Sequence, residues 1–381
     1  MGPRQVLLLE TACPARAGSC GHSVSRLVRT LALSLMAFAF TAAANAEPPA
    51  AERLRLADVL AEARQHNPAI RSALERAKAA EAMPVQVSAY DDPELSYETW
   101  NAPDAFRIDR ADNNIVRLSQ KLPFPGKRSL AGSIAGRDAE VARREAEGTE
   151  LDVLAKVKNA YYGLWQAHMA LLVYSREKGL VQRFAHVAEQ KYAVSEVSQS
   201  DVLRAQVELT RLINRVTTQA LAIDSARAEL NALLSRSPDD PLGTPEDPEV
   251  RLDQRPETLT KLALERRPEL AAQAAAVARE QERVRLAHRN YWPDFELSVG
   301  RFFNPGRRDG VGAMVGVSIP LAYKSKYDAG VAEANARLAS AEAELRRLQD
   351  LVRREVTQEF LRARTALLRH DLFVSTHIPQ A

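Results

Sequence analysis

The chain has two cysteines in 381 residues, and both, Cys13 and Cys20, lie before position 46. If that leader is removed, the rest of the chain has no disulfide and no thiol chemistry. Neither cysteine follows a hydrophobic lipobox, which argues against lipidation. A charge excess is also missing. Taking residues 1–46, with four Lys/Arg and one Asp/Glu, from totals of 52 and 49 leaves 48 of each sign. Neutrality argues against a nucleic-acid partner, which calls for a basic excess or patch. Past position 46 no apolar run reaches the roughly 18 residues of a membrane helix. If the remaining chain crosses a membrane, it must do so as a β-barrel.

Catalytic patterns are equally scarce. The seven histidines (His22, His66, His168, His186, His288, His370 and His377) are scattered, with no His-Glu-x-x-His pair and no Cys/His cluster. They read as surface or seam residues. Gly126-Lys127-Arg128-Ser129 looks like the end of a phosphate loop, but such a loop needs glycine where Lys121 stands. Asp91-Asp92 and Asp239-Asp240 sit in turn contexts and read as solvated turns. The expectation is a protein that is not an enzyme and has no cofactor or metal site.

Residues 1–46 read as a signal peptide and leader. Arg26 and Arg29 form the positive region, Leu31–Phe40 the apolar core, and Ala44-Asn45-Ala46 the cleavage site, with a mature start near Glu47. The first 22 residues are an unusually long leader, which leaves the start of translation open.

The mature chain reads as mixed α and β, mainly α. Leu54 to about Met83 has helical spacing, with a break at Asn67-Pro68. Period two follows. Leu95, Tyr97 and Thr99 alternate with Glu94, Ser96 and Glu98, and Val116, Leu118 and Leu122 with Arg117, Ser119 and Lys121. Between them runs a polar loop with Pro103. Gly126 to about Val194 is one proline-free helix with a seam at Val153, Val157, Ala160, Leu164, Ala167, Leu171 and Tyr174. Gly163 and Gly179 weaken it, so packing must hold it. A turn at Ser195–Ser200 follows, with Ser198 or Ser200 as N-cap and Asp201 in the first turn. The return helix, 200–235, has a seam from Val202 to Leu233 on the same rhythm. A Pro/Asp-rich linker runs to Pro256.

Then the pattern repeats. Pro68 and Pro93 recur as Pro268 and Pro293, Leu122-Pro123 as Ile319-Pro320, and Val157 and Tyr161 as Val356 and Phe360, at offsets of 197 to 200. Such constancy marks an internal duplication. The first repeat is 47–256, with a β-hairpin at 93–123 and long helix 126–194. The second is 257–381, with a β-hairpin at 293–320 and a long helix at 325–375. Phe295, Leu297, Val299 and Phe303 alternate with Glu296, Ser298 and Gly300, and Val311, Ala313, Val315, Val317 and Ile319 with Gly312, Gly316 and Ser318. That alternation suits a wall between lipid and water. Gly300, Gly312 and Gly316 fit either bulges or lumen positions. Trp100, Tyr291 and Trp292 flank strand ends and suggest an interfacial aromatic girdle. A second return helix would end roughly 50 residues beyond Ala381 by the repeat offset. Its lack would leave Leu345, Leu348 and Val352 without a packing partner.

The repeat, the Leu122–Arg128 stretch, Pro93-Glu94-Leu95-Ser96, and Lys191–Val194 leading into Ser200–Leu203 resemble the outer membrane efflux protein family, the TolC-like exit ducts of tripartite pumps. The resemblance covers about 54–381, and Gly126-Lys127-Arg128 is similar to the heavy-metal efflux branch. It implies a homotrimer in the Gram-negative outer membrane, with a twelve-stranded β-barrel touching lipid and a periplasmic α-helical tunnel. It implies passive export of metal ions or small molecules. It further implies two partners, a periplasmic adaptor (membrane fusion) protein and an inner-membrane transporter of resistance-nodulation-division type. The adaptor contact falls on the tip residues Tyr192, Val194, Ser195, Val197, Ser200 and Asp201. Barrel-to-helix turns fall at Pro123, Gly126, Lys127, Arg128 and Pro320. The family commonly carries glycine where Ser195 stands. The alternatives are a periplasmic adaptor-type coiled-coil protein and a truncated, non-conducting family member.

Overall fold

The structure is a computed structural model that describes residues 53–102, 111–248, 252–304 and 306–378. The signal and leader with Cys13, Cys20 and His22, Pro103 of the first strand loop and part of the linker lie outside the described residues.

The first repeat runs α1 (Leu56–His66), α2 (Pro68–Ser88), β1 (Glu94–Trp100), β2 (Asn113–Leu122), α3 (Lys127–Ala193) and α4 (Gln199–Leu233). The second runs α5 (Pro256–Arg266), α6 (Pro268–Arg289), β3 (Asp294–Phe303), β4 (Gly310–Ser318) and α7 (Asp328–Leu372), with π-helical turns at Tyr323–Tyr327 and Phe373–His377. No described helix is long and apolar enough to cross a membrane.

At 67 residues α3 is the longest element, about 100 Å at 1.5 Å per residue. In proteins most of a helix's stability comes from packing along its apolar face. Shorter helices supply that packing, α4 along one part and α2 along another, with α6 of the second half also packed against it. Helices α4 and α2 meet at Asn67. Its Nδ2 donates to the Leu233 carbonyl at 2.8 Å, at the end of α4. Its Oδ1 accepts from Ala69 N at 2.9 Å, at the start of α2. One buried side chain therefore caps both helix ends, and the negative end of α4 faces the positive end of α2. The Ser235 hydroxyl donates to the His66 carbonyl, and Arg236 pairs with Glu62 beside it.

The main core lies at this joint. Val59, Ala63, Ile70, Val153, Val157, Leu164, Ile223 and Leu230 form it. Tyr161 crosses it, donating to the Leu54 carbonyl at 2.7 Å and accepting from Glu246 N at 3.0 Å. Burial raises its phenol above the usual range. The α3 glycines Gly163 and Gly179 have open space beside them, so neither serves a close approach. Gly132 does: a Cβ there would come within 3.1 Å of Ser88 Cβ, where α2 ends against α3. That helix runs on past Met83 to Ser88, with Pro84 inside it.

The four strands form one antiparallel sheet in the order β1-β2-β3-β4, so the two repeats join through β2 and β3. The pairing carries no bulge, which puts Gly300, Gly312 and Gly316 at ordinary ladder positions. Phe302 lies across Gly312, where a Cβ would come within 2.7 Å of its ring.

Two expectations are corrected here. Val352 is buried, and Leu345 and Leu348 are half-buried. They have partners because α5 and α6 lie along α7, held by Gln273 to the Ala341 carbonyl and Arg267 to Glu355. Trp100 shares its sheet face with Glu98 and approaches its carboxylate at 3.5 Å, so strand parity removes it from the apolar face.

Leu230→Ala should destabilise the helical part by about 2–5 kcal/mol, because Leu230 is fully buried. Leu221→Ala, at an exposed position on the same helix, should change it by less than about 0.5 kcal/mol. Chemical denaturation followed by far-UV circular dichroism compares the two.

Candidate functional site

Strand parity separates the sheet into two chemical faces. One carries Leu95 and Tyr97, Val116 and Leu118, Phe295, Leu297 and Val299, and Val311, Val315 and Val317. Leu95 is 71% exposed, Val299 56% and Val315 66%, so this face presents a largely apolar exposed surface, interrupted by Gln120 and Arg301. The other face carries Glu94, Ser96 and Glu98, Arg117, Ser119 and Lys121, Asp294, Glu296 and Ser298, and Gly312, Gly316 and Ser318, with Ile115, Phe302 and Met314 among them. Arg117 and Glu98 pair across it at 2.9 Å. An apolar patch of this extent on a monomer marks a surface that meets lipid or protein.

The first strand exit is a compact latch. Pro123 ends the ladder, and Gly126 turns the chain at φ 96°, a left-handed conformation that favours glycine. Lys127, the first residue of α3, then reaches β3. Its Nζ donates to Asp294 Oδ1 at 2.8 Å and to the Trp292 carbonyl at 2.9 Å. Asp294 Oδ1 also accepts from Phe124 N at 2.7 Å. Phe124 stacks on Trp292 at 5.0 Å. Arg128 donates to the Ser88 carbonyl at 2.9 Å, satisfying the end of α2, and its guanidinium covers the Tyr90 ring at 3.3 Å. Gly126, Lys127 and Arg128 thus join α2, α3 and β3. The sequence marked them as a turn but carried no sign of their partners, which lie 40 and 167 residues away.

The second exit is built differently. Pro320 leads into a π-helical turn rather than a left-handed glycine. Tyr291 stacks on Tyr323 at 5.9 Å and tilts against Tyr327 at 5.6 Å, and its hydroxyl donates to Asp328. Tyr291 and Trp292 therefore pack into the strand exits.

The hairpin tip lies at the far end of α3. Ser195 N and Glu196 N donate back to the carbonyls of Tyr192 and Lys191. Ser195 adopts φ 62°, a conformation that costs a residue with a Cβ about 1–2 kcal/mol. This is the physical reason glycine suits the position. Ser198 is the N-cap, in a reciprocal capping box with Asp201. The Ser198 hydroxyl, and then its backbone N–H, hold the Asp201 carboxyl below the usual range. Tyr192 and Val194 are exposed, Val197 is half-buried, and Ser200 and Asp201 are exposed. Among the described residues no group of three or more His, Cys, Asp or Glu is placed to hold a metal ion.

Residues 259–378 match the family model for outer membrane efflux proteins. Over that stretch the chain is similar to the outer membrane efflux protein family. A relative, the cobalt-zinc-cadmium resistance protein CzcC of Cupriavidus metallidurans, is 25% identical over 243 residues, which cover 62% of this chain and 55% of CzcC. The protein CyaE of Bordetella pertussis is 27% identical over 319 residues, 80% of this chain and 67% of CyaE. The chain thus spans little more than half of CzcC and about two thirds of CyaE. The crystal structure of the outer membrane protein VceC from Vibrio cholerae superposes with a TM-score of 0.63 at 17% identity, over 78% of this chain and 75% of VceC. That likeness establishes the fold, long helices and a small antiparallel sheet.

Ser195→Gly should stabilise the tip by up to about 1 kcal/mol by removing left-handed strain. The cap has a pH signature. The folded pKa of Asp201 lies below its unfolded value. Its contribution is therefore complete above the ordinary carboxylate range and is lost as pH falls through the lowered value, below about pH 4. Protection factors of the amides after Ser198, taken against the intrinsic exchange rate at each pH, should fall in that window, and Asp201→Asn should abolish the dependence.

Proposed function

We propose that this chain is the outer-membrane channel component of a tripartite efflux system, a passive export duct. The reading rests on one observation above the others: a four-stranded sheet with an exposed apolar face and a polar face, continuous at both strand exits with long helices. In a closed barrel the apolar face meets lipid and the polar face lines water. Four strands are too few to close such a barrel. Three copies supply twelve, in keeping with the homotrimer implied by the family. The N-terminal signal delivers the chain across the inner membrane, and the helices extend into the periplasm.

The work is conduction, and no residue acts as a catalyst. Cargo passes through water along the polar face. Metal ions or small molecules fit this reading, and the metal branch is supported by the likeness to CzcC. The tip residues Tyr192, Val194, Ser195, Val197, Ser200 and Asp201 meet a periplasmic adaptor protein. Exposed Tyr192 and Val194 supply apolar contact, and the capped turn keeps them in place. The adaptor links the duct to an inner-membrane transporter of the resistance-nodulation-division type.

The test begins with the full chain expressed in a Gram-negative host. Outer-membrane fractionation, a β signal in circular dichroism and a trimer on amine cross-linking are the expected results. A monomer in detergent without β signal overturns the duct. Tyr192→Ala combined with Val194→Asp should leave the trimer intact and abolish cross-linking to the adaptor expressed from the neighbouring gene.

A further inference from the structure

The sheet has two free edges, the outer sides of β1 and β4. Between its two repeats it also contains a finished seam, β2 against β3, with the Lys127–Asp294 latch at its base. The duplication makes that seam a template for the open edges. Pro123 corresponds to Pro320 at an offset of 197, and the same offset carries Lys127 onto Lys324. Pro293 corresponds to Pro93 at 200, which carries Asp294 onto Glu94. Lys324 follows β4, and Glu94 opens β1. Within one chain the two edges lie on opposite sides of the sheet. The equivalent pair therefore forms only when β4 of one copy lies beside β1 of another.

We infer that Lys324 is an intersubunit latch residue whose acceptor is Glu94 of a second copy of this chain. The inference rests on the multimeric barrel proposed above and adds its register and its ionic lock. Three observations support it. The first is unused charge. Lys324 has no acidic partner among the described residues, and the only contact of the Lys326 ammonium is with the Tyr327 ring at 5.3 Å. No basic side chain pairs with the carboxylates of Asp91, Asp92 or Glu94 among the described residues. Asp92 stands where Trp292, whose carbonyl takes the second Lys127 bond, stands in the finished seam. Lys324 and Lys326 are exposed, as are Asp91, Asp92 and Glu94, so a basic turn and an acidic strand entry await partners.

The second observation is strand parity. Leu122 pairs with Phe295, Gln120 with Leu297 and Leu118 with Val299 in the finished seam. Transferred through the offsets, Ile319 faces Leu95, Val317 faces Tyr97 and Val315 faces Thr99 of the second copy. All six belong to the alternation of the apolar face, so the new seam continues that face without a break. A register shifted by one residue would set Ser318 and Gly316 among the apolar side chains. The third is reach. Glu94 is one methylene longer than Asp294, and Lys324 is exposed within its π-helical turn. One feature of the template is not reproduced: the Phe124–Trp292 stack corresponds to Leu321 and Asp92. The second seam is therefore an ionic latch without an aromatic clasp, and salt weakens it more than the first.

The test uses the full chain in outer membranes, with Cys13 and Cys20 replaced by serine. Glu94→Cys with Lys324→Cys is treated with a bis-maleimide about as long as a lysine side chain. Cross-linked dimer and trimer are expected, and each single-cysteine variant should stay uncross-linked. Lys127→Cys with Asp294→Cys calibrates the geometry, because the same reagent should consume both thiols within one chain. Thr99→Cys with Lys324→Cys places the thiol about 17 Å further along the strand and should not link. Lys324→Glu should lower the amount of trimer at low salt, and Glu94→Lys in the same chain should restore it. Suppose the 127–294 pair links and amine cross-linking still captures a trimer, but 94–324 gives monomer alone. The latch is then overturned while the duct stands. If amine cross-linking captures no oligomer, both fail together.

Discussion

A 67-residue helix must be covered along its length, and no other helix in the described chain is long enough to cover it alone. The fold meets this constraint with two shorter helices set end to end and with α6 also packed against the long helix. Helix termini leave unpaired carbonyls and amides, so such a joint buries polar groups by construction. Asn67 resolves it, because an amide side chain both donates and accepts. It satisfies the Leu233 carbonyl with one end and the Ala69 amide with the other. The largest core cluster gathers around that point. In the second repeat the corresponding residue is Arg267, which pairs with Glu355 on the long helix. The equivalent position thus carries an ion pair to the long helix in place of an amide cap.

The same divergence appears where strands hand over to helices. At the first exit the chain supplies every partner itself: Asp294 for Lys127, and the Ser88 carbonyl and the Tyr90 ring for Arg128. A side chain so engaged is a structural rivet, and its charge is not available to cargo or to lipid. The second exit spends its aromatic residues on itself and leaves its lysines exposed. Both exits fix the angle between sheet and helices.

The tip is held mainly by local interactions. Its bonds join residues within five positions of one another, apart from Gln206 to Glu189 across the hairpin. A capped turn of this kind opens more readily than the core at Asn67, because few buried contacts oppose it. That suits an element whose proposed partner engages and releases it.

Much of this was legible in the sequence. Period two located the sheet faces, heptad spacing located the helical seams, and offsets near 200 located the repeat. Each signal is local or periodic, so the chain carries it without folding. Ser198 and Asp201 announced their cap for the same reason. What the sequence left open depended on which distant residues meet. Nothing near Lys127 names Asp294, and nothing near Val352 names the short helices that bury it. Trp100 looked like a girdle residue until strand parity placed it beside Glu98. The residues determined the periods, the caps and the duplication. The tertiary structure decided which repeat lies against which, because a buried joint or a salt bridge is defined by two chain segments, and only packing brings them together.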